Sequence, residues 1–259
     1  MSENTPRVSI ITPVHNASAF LLETIRSAQA QTLEDWEMLA VDDHSTDNSL
    51  DLLRNEAASD PRIKVFTSPL RGAAEARNLA LRQAKGDFIA FLDADDLWLP
   101  EKLSHQISFM ENQGVDFSYT PYDYIDEHSR PMNIRREVPS RINYRSSRCG
   151  CRIGCLTVVY RRSAAPSVQT VALAKRNDDA LWLRCFKSIE EGYRLNEPLA
   201  LYRKSAGSLS SGSKFKLLKH HYALYRKNEG LDPLRSVFYT VCNVIVYFDV
   251  NKRWEHSIP

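Results

Sequence analysis

A chain of 259 residues with 43% hydrophobic content can bury one substantial core and is too short for two domains of equal size. Its 34 Lys and Arg against 32 Asp and Glu leave a formal charge of +2, which excludes the basic surface that many nucleic-acid phosphates would require. No signal-peptide pattern opens the chain, and the longest apolar-rich stretch, 237–250, is broken by Thr240, Asn243 and Asp249 and falls short of the roughly 20 residues of a membrane span.

In chain order, VSIITPV reads as a buried parallel strand that ends at Pro13 and runs into a loop at Asn16. A helix is predicted over 18–31, a strand in WEMLAVDD, a helix over 45–58 opened by the polar cluster STDN, and a strand in RIKVFTS. A helix over 73–84 and the strand DFIAFLD continue the alternation. This rhythm predicts a doubly wound α/β sheet, whose ligand site lies where strands release their carboxyl ends into loops. Three such ends carry the conspicuous polar residues, at 13–16, 42–47 and 93–96.

Beyond Pro100 a helix is predicted to Asn112, and VDFSYTPYDYIDEHSRPMN alternates aromatic and polar residues around a Ser-Arg-Pro turn, as an antiparallel hairpin does. Residues 154–160 read as a strand, 178–189 as a helix, and 199–203 as a strand entering the Ser/Gly-rich loop 205–213, a flexible lid or a plain linker. From Lys214 onward basic and apolar residues interleave as a basic amphipathic helix, and a second helical stretch follows. That basic helix either packs on the catalytic domain or rests on an anionic membrane surface. Five cysteines are an odd number for a disulfide framework and fit reduced thiols in the cytoplasm; the C-x-C-x3-C run at Cys149, Cys151 and Cys155 lacks the second ligand pair of a zinc site.

In FLDADDLW, Asp93, Asp95 and Asp96 follow directly on an apolar strand, where like charges repel unless solvent or a cation offsets them. Hard carboxylate oxygens suit Mn2+ or Mg2+ and leave positions open for a bound diphosphate; the plainer alternative is that they cap the next helix. Asp42 and Asp43 close the second strand as acceptors for ribose or base donors, while Ser45, Thr46 and Asp47 need no role beyond capping. Arg77 and Asn78 sit in GAAEARNLAL, whose small residues admit close approach; Arg77 reaches either phosphate or nucleoside, or pairs locally with Glu75 or Asp87.

Together VSIITPVHNA, AVDDHSTDNS, GAAEARNLAL and GDFIAFLDADDLWLPEKL resemble the inverting family 2 glycosyltransferases of GT-A fold, a mostly parallel Rossmann-like sheet flanked by helices. IGCLTVVYRR, KRNDDALWLR and LALYRKSAGSLS extend the resemblance toward bacterial enzymes that build capsule, teichuronic acid or lipopolysaccharide. The resemblance implies a catalytic domain over 1–213, with a nucleotide-binding half (1–100) and an acceptor half (101–213), followed by a helical extension over 214–259. It implies a metal-dependent transfer from a nucleotide-diphosphate sugar, commonly a UDP-sugar, to a hydroxyl of a glycan or lipid-linked saccharide, in the cytoplasm or at the inner membrane face.

Residue by residue, the resemblance implies Pro13, Asn16 and Asp43 beside the nucleoside, Arg77 near the nucleotide, and Asp93 with Asp95 as the D-x-D pair, Asp95 being the direct ligand of Mn2+ or Mg2+. It implies a base in the acidic pair before an apolar helix, here Asn177-Asp178-Asp179, and assigns it to Asp178 with Asp179 as the neighbouring candidate. Arg203, Ser208 and Ser210 resemble a segment that closes over the diphosphate. Nucleotidyl transfer lacks its basic Gly-rich phosphate loop here, and a dinucleotide oxidoreductase lacks G-x-G-x-x-G after the first strand. A non-catalytic nucleotide-sugar binder is the remaining alternative.

Overall fold

The computed structural model describes residues 5–173, 175–204 and 214–258. The alternation predicted for the first hundred residues is present as β1 (Val8–Val14), α1 (Leu21–Gln29), β2 (Trp36–Asp42), α2 (Ser49–Ser59), β3 (Ile63–Thr67), α3 (Ala73–Gln83) and β4 (Phe88–Phe91). β1, β2 and β4 are buried on both sides and largely apolar because the sheet is covered on both faces, and the polar Ser9 and Glu37 within them pair with each other at 2.6 Å. Val8, Ile10, Met38, Ala40, Phe88 and Ala90 enter one core with Leu21, Ile25 and Leu53. Their neighbours Ile11, Leu39, Val41, Ile89 and Phe91 enter the other with Ala76, Ala80 and Trp182. The period of two sends alternate residues to opposite layers.

After β5 (Leu97–Trp98) and α4 (Lys102–Gln113), which stops where Gly114 takes a left-handed φ of 63°, the pattern changes. The rest comprises β6 (Phe117–Tyr119), β7 (Tyr122–Ile125), β8 (Pro131–Arg136), β9 (Arg141–Asn143), α5 (Tyr144–Arg148), β10 (Val159–Arg161), α6 (Asn177–Cys185), β11 (Glu191–Arg194) and β12 (Ala200–Arg203). The chain ends in α7 (Lys214–Ala223), a π-helical turn at 224–228, α8 (Pro233–Arg253) and β13 (Glu255–Ser257).

The main sheet runs β3-β2-β1-β4-β10-β6-β11-β9. Its first four strands are parallel, and β10 then enters antiparallel between β4 and β6. A second sheet, β13-β8-β7-β12-β5, holds the expected antiparallel hairpin as β7 and β8. The helix at residue 45 begins later than its composition suggests: Asp47 accepts the backbone N–H groups of Ser18 and Ser49, each at 3.0 Å, and holds 45–48 as a loop. Residues 154–160 are not one strand, because 155–157 form a 3₁₀ turn whose Leu156 carbonyl accepts from the Trp98 indole at 2.8 Å. The helix expected to reach Ile189 stops at Cys185, where that residue's carbonyl takes the N–H groups of Ser188 and Ile189 and turns the chain toward β11.

Candidate active site

Parallel pairing sets the carboxyl ends of three strands side by side. Val14 lies opposite Asp42, and Ile11 opposite Phe91. The loops after β1, β2 and β4 therefore share one edge of the sheet, where a doubly wound fold keeps its ligand. In the first, Pro13 is half-buried and Asn16 exposed, with a positive φ of 48°. Asn16 is tied to the second loop: its N–H donates to Ser45 Oγ at 3.0 Å and its side-chain oxygen accepts from the Thr46 N–H at 2.7 Å. His15 Nδ1 lies 2.7 Å from the carbonyl oxygen of Asp43.

Asp43 is buried at the floor of this edge, and both its carboxylate oxygens accept the N–H of Gly72 at 2.8 Å. Gly72 has a φ of 117°, a conformation that a Cβ would strain, and it opens α3. One turn into that helix Arg77, buried, donates to Asp93 at 2.6 Å, so its partner is the first D-x-D aspartate rather than Glu75 or Asp87. Burial disfavours the guanidinium charge, yet Asp93, with Cys155 and Asp178 nearby, raises its pKa. Asn78 ties α3 to the loop before α6, exchanging two hydrogen bonds with Thr170 at 2.8 and 3.0 Å.

The turn after β4 is clamped from beneath. The Thr24 hydroxyl lies 3.0 Å from the Ala94 carbonyl and 2.9 Å from that of Asp96. Arg203, a fully buried side chain, donates through Nε to the Asp95 carbonyl at 2.7 Å, and its backbone N–H donates to Asp96 Oδ1 at 2.9 Å. The rest of its guanidinium reaches Ser129 Oγ at 2.8 Å, the Asp126 carbonyl at 3.3 Å and Glu23 at 2.9 Å. Arg203 thus joins α1, the D-x-D turn and the turn of the β7-β8 hairpin. Ser208 and Ser210 lie outside the described residues.

Asp95 is half-buried, and burial, then the charge of Asp93, pushes its carboxyl up to about 6. Asp96 is buried and pushed up further by burial and by both neighbouring aspartates. The sequence grouped Asp96 with Asp93 and Asp95 as carboxylates for a cation or a helix cap; it is the acceptor that seats β12 beneath the turn.

Asp178 and Asp179 occupy the first turn of α6. Asp179 is buried and accepts from Arg176 at 3.0 Å; burial pushes it up to about 7 despite that partner. Asp178 is half-buried, and its charge reaches Arg77 and Cys155. Cys155, from the 3₁₀ turn, also feels Asp93, Arg77 and Asp96, so it stands between the D-x-D turn and α6. Spacing alone gave no reason to place it there. Cys149, Cys151, Cys155, Cys185 and Cys242 are free thiols, and among the described residues no group of three or more His, Cys, Asp or Glu forms a metal cage.

The Glycosyl transferase family 2 model matches residues 9–165, the stretch from β1 to the turn after β10. The chain belongs to this family. It is a glycosyltransferase of GT-A architecture, and the family carries the expectation of a divalent cation. It is 36% identical to TuaG of Bacillus subtilis, named for teichuronic acid biosynthesis, over 92% of this chain and 94% of that one. It is 37% identical to WfaP of Escherichia coli, a UDP-Glc:alpha-D-GlcNAc-diphosphoundecaprenol beta-1,3-glucosyltransferase, over 96% and 95% of the two chains. Among solved structures, TarS 1–349 of S. aureus in complex with UDP-GlcNAc superposes with a TM-score of 0.73 at 20% identity, over 93% of this chain and 73% of that one. Among the described residues, no helix of this glycosyltransferase is long and apolar enough to cross a membrane.

Proposed function

We propose that this family 2 glycosyltransferase moves a sugar from a UDP-sugar, with inversion, to a hydroxyl of a lipid-linked saccharide in the assembly of a bacterial surface polysaccharide. The observation that carries the reading is the meeting of three strand ends with the first turn of α6, which brings Asp43, the Arg77–Asp93 pair, Asp95 and Asp178 to one edge. WfaP is named for a UDP-Glc donor and a diphosphoundecaprenol-linked GlcNAc acceptor, and TuaG for teichuronic acid biosynthesis, which supports the reading.

Pro13, Asn16 and Asp43 frame the nucleoside. Asp43 is held by Gly72, so its carboxylate meets a donor without first losing a rotamer. Arg77 is buried against Asp93 and fixes that carboxylate for the ribose and diphosphate side of the donor. Asp95 fits a hard divalent cation, Mn2+ or Mg2+: its carboxyl is half-buried beside a like charge, an arrangement that a cation relieves. Bound there, the ion would supply charge to the leaving diphosphate. Arg203 is a brace for this turn, since its donors are taken by Asp95, Asp126, Ser129 and Glu23.

Inversion needs a single base to take the acceptor proton on the face opposite the leaving group. Asp178 takes that role in preference to Asp179, which is buried under Arg176 and therefore turned from the acceptor. The base stands on α6 rather than in the D-x-D turn itself, so that it is not a ligand of the cation, whose charge would lower its basicity. The helical extension, 214–259, holds the protein at the inner face of the cytoplasmic membrane, where a lipid-linked acceptor is presented.

The test is a transfer assay with labelled UDP-sugars, Mn2+ and a polyprenyl-diphosphate-linked GlcNAc, the new linkage being read by NMR. A product of inverted anomeric configuration is expected. Retention of configuration, or turnover unaffected by chelator, would contradict the reading.

A further inference from the structure

Helix α8 is amphipathic the wrong way round. Among the residues of α8 whose burial is described, the buried ones are polar, Ser236, Thr240 and Asn243, while Leu234 (83% exposed), Val237 (52%), Phe238 (60%), Val241 (49%) and Ile245 (64%) face outward. At 3.6 residues per turn these five fall within an arc of roughly 100°, opposite the buried three. A helix that solved only its own packing would turn the other way.

Its rotation is fixed from inside. Asn243 donates to the Tyr225 hydroxyl at 2.9 Å, and Tyr225 donates to the Arg148 carbonyl at 2.6 Å. Rolling the apolar face inward would strand these buried polar groups. The preceding segment is equally anchored to α6: Asn228 accepts from Arg184 at 2.7 Å, and His221 meets Arg176 at 2.9 Å. The outward apolar stripe is therefore built into the fold, and a contiguous exposed patch of this kind marks an interaction surface.

Charge says what covers it. Lys219 lines a groove of about 350 Å³ between α7 and α8 with Leu218, Tyr222, Val237 and Val241. Arg226 and Lys227 are exposed at the connection between the helices, and Arg235, ion-paired with the exposed Asp232 at 3.4 Å, stands beside the stripe on α8, so that the basic side chains here outnumber the acidic one. Apolar side chains flanked by basic ones suit acyl chains under anionic headgroups. A second copy joined by a two-fold axis would set the same basic groups against themselves.

We propose that the outward face of α8, with the α7-α8 groove, inserts into the headgroup region of an anionic lipid bilayer. The stripe, rather than the basic face of α7, makes the apolar contact. Because the segment before α8 is bonded to α6, docking would hold the helix of Asp178 close to the membrane. That consequence rests on the lipid-linked acceptor proposed above; the surface itself does not.

Co-sedimentation of the full chain with phosphatidylglycerol/phosphatidylcholine vesicles tests it, with phosphatidylcholine alone as control. The wild type should bind the anionic vesicles, Phe238→Asp and Ile245→Asp should each weaken that binding roughly tenfold or more, and the charge reversal of Arg226 and Lys227 to Glu should weaken it at low salt. UDP binding of the variants should stay unchanged, which shows that they fold. Equal vesicle binding by Phe238→Asp and the wild type would overturn the proposal. So would a wild-type dimer, seen by light scattering, that ignores vesicles and is dissociated by Phe238→Asp, since the stripe would then belong to a second copy. Transfer to a short, water-soluble acceptor reports on the catalytic reading separately, because none of these residues lies at the D-x-D edge.

Discussion

Arg203 separates a brace from a phosphate ligand, and Arg203→Met is the perturbation that distinguishes them. The substitution keeps much of the side chain's bulk and deletes the guanidinium. It strands the Asp95 carbonyl, while the Asp126 carbonyl keeps the N–H of Ser129, the Ser129 hydroxyl keeps Glu23, and Asp96 keeps the backbone N–H of residue 203. A buried acceptor left unpaired costs about 1–3 kcal/mol, whereas the lost pair with Glu23, itself half in solvent, adds little. One stranded acceptor sets the loss at about 1–3 kcal/mol, a sizeable part of the stability of an ordinary domain. Urea unfolding should show a midpoint lowered by that free energy divided by the slope, with the slope unchanged. Arg203→Lys, which keeps the charge without the fork, should recover less than half. In the same samples Mn2+-dependent UDP binding should weaken, because the Asp95 turn loses its support. A variant that unfolds at the wild-type urea concentration while losing diphosphate binding would refute the brace.

The other side chains make separate predictions. Asp178→Asn should retain UDP affinity and lower kcat by roughly a hundredfold or more, the usual range for a lost general base, whereas Asp179→Asn should act mainly on stability through Arg176; the reverse pattern in single-turnover assays would exchange the two roles. Burial, then the charges of Arg176 and His220, holds His221 down at about 3 from an ordinary 6.5, so the fold favours the neutral ring. The stability His221 contributes is therefore present above about 6.5 and lost as pH falls from there toward 3, at up to about 1.4 kcal/mol per pH unit. His221→Gln should flatten that part of the curve in pH-dependent urea melts, and an unaltered slope would remove His221 as its source.

The first hundred residues were legible because both faces of the sheet are buried there, which makes β1, β2 and β4 largely apolar runs, and because the connections are short. The polar residues at 13–16, 42–47 and 93–96 could then be placed at one edge by topology alone. The acceptor half was harder to read. Strands of two to four residues such as β5, β9 and β11 carry too few alternations for a period of two to register, and β5 pairs with β12, about a hundred residues away. The 3₁₀ turn at 155–157 was hidden inside an apolar run, and with it the place of Cys155 beside Asp93 and Asp178. Arg203 resembled a diphosphate ligand by motif, while the partners that occupy it, Glu23, Asp126 and Ser129, come from elements that no local pattern connects. In α8 the apolar residues were visible, but the face they turn to solvent is set by Asn243 and Tyr225, a contact across 18 residues.

The central claim is a cation-assisted nucleotide site at the D-x-D turn. Calorimetric titration of UDP into the purified protein with Mn2+, repeated with chelator and with Asp95→Ala, tests it most directly. Binding with Mn2+ that disappears on chelation and in Asp95→Ala is the expected result. UDP binding of equal affinity in all three titrations would contradict it.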